Sequence, residues 1–125
     1  MSPRRGAWLI AAGRTALGAV ILVAPRQVTT HWLGEENAAL PVVGDLARGL
    51  AVRDLALGIV TLKTLEDPVL GPRVQFLCAV ADSVDALATV LARKSLPRTG
   101  AIGTVAIAGI SAKAGFYFSH RLAHA

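Results

Sequence analysis

Two short stretches hold the residues able to do chemistry. The first is "ARGLAVRDLALG" (47–58), with Arg48, Arg53 and Asp54; the second is "VADSVDALAT" (80–89), with Asp82 and Asp85. Asp82 and Asp85 are three residues apart, so on a helix they share a face. Two neighbouring carboxylates repel unless a cation lies near or one keeps a proton. Arg14 is the first candidate for that cation and Arg53 the second. Arg53 and Asp54 point about 100° apart around a helix, so they are not expected to meet the same partner. Asp45 and Arg48, again three apart, can pair along their own helix. The chemistry on offer is ion pairing, a shared proton, or a cationic clamp on an anion.

These charges are set in an unusually apolar chain. Hydrophobic residues make up 54% of the 125 and charged residues 17%, against about 25% charged in soluble domains. The mean hydropathy is +0.55. A domain this small has too little interior to hide that much apolar surface from water. The excess is expected to face lipid.

Four apolar segments have the length for it, at about 6–24, 42–65, 73–94 and 99–120. About 20 helical residues span a bilayer core of roughly 30 Å. Helices satisfy their own backbone in lipid. The reading is therefore all-α: a single domain, 1–125, folded as an integral membrane four-helix bundle. A signal peptide is the competing reading of the first segment. Arg14 interrupts its apolar run, and "APRQ" gives no clean small-x-small cleavage site, so it reads as a retained helix. The connection at 25–41, "PRQVTTHWLGEENAALP", reads as an interfacial loop, with a short turn at "THWLG" and Trp32 at headgroup depth.

The charges divide by position. Eight lie within the spans: Arg14, Asp45, Arg48, Arg53, Asp54, Asp82, Asp85 and Lys113, four of each sign. The net charge of +5 therefore comes from the helix ends, where anionic headgroups attract Lys and Arg. This accounts for the basic balance without nucleic acid. Counted at about 1.5 Å per residue along helices of alternating direction, Arg14, Arg53, Asp54, Asp82, Asp85 and Lys113 all fall roughly 10–18 Å deep. Asp45 and Arg48 fall nearer a surface. One unpaired charge at mid-helix costs about 2.5–3.5 kcal/mol on insertion. The six deep residues are therefore expected to turn inward and pair as a midplane network, with Asp45–Arg48 as a secondary pair.

Other classes are excluded or left unsupported. Cys78 is the only cysteine, which rules out an internal disulfide, a CxxC redox motif and a cysteine zinc cluster. His31, His120 and His124 lie at ends or in a connection, which disfavours a bis-histidine haem. No Gly-x-Ser-x-Gly or HExxH signature is present. No metal site, cofactor or catalytic residue is expected, and enzymatic activity has no positive sign. Small residues, among them the Ala108–Ala112 and Ser111–Gly115 pairs and Gly44, Gly49 and Gly58, suit close helix packing in lipid. "GRTALG" (13–18) and "RDLALG" (53–58) echo each other, as a duplicated helix would.

With Gly13–Arg14, Gly18 and Pro25 early, then Arg48, Arg53–Asp54 and Gly58, then Asp82 and Asp85, the chain resembles a family of small bacterial four-helix membrane proteins classed as a domain of unknown function. That family carries R-x(4)-R-D-x-x-x-G in its second helix. A looser similarity is to DoxX-like membrane proteins. The resemblance implies topology and no established activity.

Two functional readings follow. In the first, the chain is a structural or accessory membrane protein whose Arg/Asp network fixes helix register. In the second, Asp82 and Asp85 act with Arg14 or Arg53 in transport or proton relay. A clamp by Arg on a lipid headgroup or quinone oxygen is a further possibility. The expected partners are the lipid bilayer and a second copy or a larger membrane complex. The expected location is the plasma (inner) membrane, crossed several times. Five basic residues on the side of the termini (Arg4, Arg5, Lys63, Arg73, Arg121) against four on the other (Arg26, Arg93, Lys94, Arg98) favour cytoplasmic termini.

Overall fold

A computed structural model describes residues 1–125. It is helical throughout, with no strand. Proline writes much of the punctuation. Helix α1 (Pro3–Val23) opens on Pro3, whose missing N–H costs nothing in a first turn, and the Ser2 hydroxyl accepts the Arg5 N–H at 3.3 Å. Pro25 ends α1 and starts α2 (Pro25–Leu33). Gly34, at φ +87°, makes the turn into the short α3 (Glu35–Ala38). Pro41 opens α4 (Pro41–Thr64). After a tight loop comes α5 (Leu70–Ala92), then a single 3-10 turn (Arg93–Ser95), then α6 (Arg98–Ala123).

Three of these helices, α1, α5 with its 3-10 extension, and α6, are long and apolar enough to cross a membrane. Helix α4 has the length, 24 residues, but not the composition. Asp45, Arg48, Arg53 and Asp54 interrupt its apolar run within the first fourteen positions. The connection expected at 25–41 as a loop is mostly helix. Nothing between Pro25 and Gly34 breaks it; Thr29 is buried, and Val28 packs against Ile21 of α1 and Ala47 and Ala51 of α4.

The long helices pack in two close pairs. In the first, Gly18 of α1 lies against Ala51 and Leu55 of α4, while Gly58 of α4 lies against Ala11 and Thr15 of α1. A Cβ at Gly58 would collide with the Thr15 hydroxyl. The two contacts share one register: each residue of α1 maps to its counterpart 40 positions on, the separation of Arg14 and Asp54. The echo between "GRTALG" and "RDLALG" is thus a two-fold relation in the packing. The helices run antiparallel, with Arg14 and Asp54 at the crossing. In the second pair Gly115 of α6 meets Ala79 of α5, and the Ser119 hydroxyl donates to the Pro72 carbonyl at 2.8 Å. These two helices also run antiparallel. The pairs join at one end, where Phe118 covers Gly6 and packs on a cluster of Ala7, Leu65 and Leu122.

The interior is made of small residues. Ala7, Ala11, Ala51, Ala79 and Ala112 are buried, and the largest fully buried side chains are Gln75 and Thr29. The large apolar side chains face out: Leu46 is 70% exposed, Leu91 74% and Ile110 70%. Folding in water drives the opposite arrangement. The inward hydroxyls serve their own helices. Thr15, Thr61, Ser83 and Thr89 each donate to the carbonyl four residues back, which satisfies them without solvent.

Candidate functional site: an ion series beneath a cavity

At mid-length of α1, α4 and α5 the charges meet. Arg14 donates through one terminal nitrogen to Asp54 at 3.2 Å and through the other to Asp82 at 2.5 Å. Arg53 donates to the same Asp54 oxygen at 3.0 Å and grips both oxygens of Asp85, at 3.0 and 2.6 Å. The result is one alternating series, Asp82–Arg14–Asp54–Arg53–Asp85. Two-pronged Arg–carboxylate contacts are both directional and strong.

Helix geometry explains the order. Arg14 sits at the α1/α4 crossing, set there by the glycine contacts on either side, and its side chain continues to α5. Arg53, next to Asp54 on α4, is the more exposed of the two guanidiniums, at 34%. Its long side chain spans the gap to α5 and folds back on its own neighbour. The 100° offset between Arg53 and Asp54 therefore does not separate them, because the guanidinium reaches beyond its own Cβ direction. The two carboxylates of α5 are not held by one shared cation: Asp82 goes to Arg14 and Asp85 to Arg53.

Burial grades along the series. The side chains of Arg14, Asp82 and Asp54 are 7%, 10% and 11% exposed, those of Asp85 and Arg53 29% and 34%. Lys113 is not part of it. It is exposed on α6 and enters no ion pair, because the inner face of α6 at that level is occupied by Ala108, Ala112 and Gly115. Asp45 and Arg48 approach only to 3.9 Å and are 82% and 54% exposed, outside the helix packing.

Above the series lies a cavity of about 680 Å³. Arg14, Asp54, Asp82 and Asp85 line its floor, Ile10, Leu17 and Ile107 its sides, and Val28, Trp32 and Leu33 of α2, with Leu96, its far end. The size falls within the range of small-molecule sites, which are typically apolar with a few placed polar groups. Thr104 and Ser111 of α6 add hydroxyls to the wall. No three carboxylate, histidine or cysteine groups converge as metal ligands would.

Trp32, expected in a short turn, lies on the helix α2. It lines the cavity, and its indole nitrogen is buried without a hydrogen-bond partner. The signal was present in the spacing: Val28 and Trp32 are four apart, on one face of any helix begun at Pro25. Thr104, Ala108 and Ser111 share a face in the same way.

No protein-family model, no curated protein and no solved structure matches the chain.

Proposed function

We propose that the chain is a four-helix integral membrane protein in which the Asp82–Arg14–Asp54–Arg53–Asp85 series ties α1, α4 and α5 together at the bilayer midplane. One observation carries this reading: large apolar side chains face outward while five charged residues are gathered among the helices. In lipid the outer surface is at no disadvantage. Helix α4, too charged to cross alone, is accommodated because Arg53 and Asp54 are neutralised by partners on its neighbours. Buried ionic groups of this kind can define register. The role is structural or accessory, in the inner membrane. The rim charges favour cytoplasmic termini, and the Arg4–Glu66 pair at 3.3 Å is consistent with α1 beginning on the side where α4 ends. The family resemblance belongs to the same proposal, as support for topology.

The test is expression in a bacterial membrane followed by an alkaline carbonate wash. Wild type should stay in the membrane pellet and Asp82→Ala should lose most of its folded yield. Release of wild type by the wash would sink the membrane reading. Full yield and unchanged thermal stability of Asp82→Ala would sink the ion-paired core.

A relay reading draws on a different feature, the three carboxylates on the cavity floor. Its test is proton flux into liposomes, where Asp82→Asn must differ from wild type.

A further inference from the structure

The ion series has three carboxylates and two guanidiniums. As charged groups they leave one negative charge over, and three of the four charged residues on the cavity wall are acidic. Both terminal nitrogens of Arg14 are engaged by Asp54 and Asp82, so the floor offers an anion no free cation. It offers a cation a surplus carboxylate under an apolar chamber, where a charge interaction is screened less than in water. The carboxylates do not converge on a point, so the negative charge is spread over the floor and suits a bulky cation better than a metal ion. At the far end Trp32 lines the cavity and can report on what enters it.

We infer that the cavity binds one lipophilic monocation: an ammonium-type charge over the Asp54, Asp82 and Asp85 floor, and an apolar body between α1, α5 and α6. An ammonium of this kind can come from a free amphiphilic amine or from a lipid headgroup. The inference rests on the membrane reading, and its failure is separable. Protein that folds in detergent but does not select by charge fails here alone.

The experiment uses the whole chain in detergent with Trp8→Phe, which leaves Trp32 as the only tryptophan reporter. Tetraphenylphosphonium and tetraphenylborate have nearly the same shape and opposite charge. The phosphonium should quench Trp32 saturably at one per chain, beyond its partition into empty micelles, and the borate should not. Asp85→Asn, at the more open end of the series, should weaken the phosphonium at least tenfold. Equal binding of the two ions would overturn the inference, as would stronger binding of the borate or an unaltered affinity in Asp85→Asn. The charge comparison on the Trp8→Phe chain stands even if Asp85→Asn fails to fold. In nanodiscs, displacement of the phosphonium by added phosphatidylethanolamine would identify the lipid ammonium as occupant. Displacement only by a free long-chain amine would identify the other source.

Discussion

Arg14 and Arg48 carry the same group on neighbouring helices, and the structure treats them oppositely. Arg14 is 7% exposed and spans two carboxylates on two other helices. Arg48 is 54% exposed and comes within 3.9 Å of one carboxylate on its own helix. The first contact joins segments 40 and 68 residues apart; the second joins one turn to the next. Charge identity alone therefore says little about what a residue does here. What decides is whether the partner belongs to another helix and whether solvent can take the partner's place. Arg53, 34% exposed and bridging α4 to α5, lies between the two.

The largest expected effect is at Arg14. Arg14→Ala leaves Asp82 without its cation and Asp54 with one of two, in a site that excludes most solvent. Removing one member of a buried ion pair typically costs about 3–5 kcal/mol. The variant is expected to show little folded protein, or a melting temperature in detergent lowered far more than by any other single change at this layer. A melting temperature within a few degrees of wild type would erase the contrast with Arg48.

That contrast was only partly legible in the chain. The long helices were, because Ala and Leu runs of bilayer length bounded by Pro25, Pro41 and Pro97 leave few alternatives. The helical state of 25–33 was not: polar Arg26, Gln27, Thr29 and Thr30 mask a face defined by Val28 and Trp32. Counting depth gathered Arg14, Arg53, Asp54, Asp82 and Asp85 at one level, because rise per residue is nearly constant. Depth does not give azimuth, and for that reason Lys113, at a similar level, faces outward instead. The pairing order also depends on side-chain reach. Arg53 meets both Asp54 and Asp85 through a flexible stem that no spacing rule contains. The cavity could not be read at all, since it arises from α2 capping a space whose lining comes from five separate helices.

Arg53 sharpens the comparison by testing its middle. Arg53→Ala frees Asp85, which is 29% exposed, and leaves Asp54 still held by Arg14. A hydrogen bond to a charged group contributes about 1.5–3 kcal/mol, and partial exposure discounts it. A loss of about 1–2 kcal/mol is expected, with folded protein still recovered. Thermal melts of Arg14→Ala, Arg53→Ala and the double variant would then show coupling through Asp54, which both guanidiniums touch. Strict additivity would mean that the series is two separate pairs.

Asp67 adds a charge outside the helices whose partner is backbone. In the loop before α5 its carboxylate accepts the Leu70 and Val69 N–H groups at 2.7 and 2.8 Å. These bonds favour the ionised form and hold its pKa below the ordinary 3.8. The contribution is present above the unfolded value and is lost as the pH falls through the lower folded one. Asp67→Ala should lower the melting temperature slightly at neutral pH. The difference should begin to close below about pH 3.8 and vanish at more acid pH. A difference that grew on acidification would have the wrong sign for this capping role.

The smallest effect is expected at the exposed pair. Asp45→Ala removes a contact of 3.9 Å between side chains 54% and 82% exposed. Exposed pairs of this spacing typically contribute about 0.3–0.5 kcal/mol, because water and salt compete for both partners. Its position one turn into α4, beside Pro41, places it at a helix end, where water can reach it even in a membrane. The melting temperature in detergent should stay within error of wild type, at low salt and high. A loss comparable to that of Arg53→Ala would mean that Asp45 or Arg48 is covered by something the single chain does not supply. A second copy packed against the outer face of α4 would do so, and cross-linking between copies through a cysteine placed at Leu46, 70% exposed, in a Cys78→Ala background would detect it.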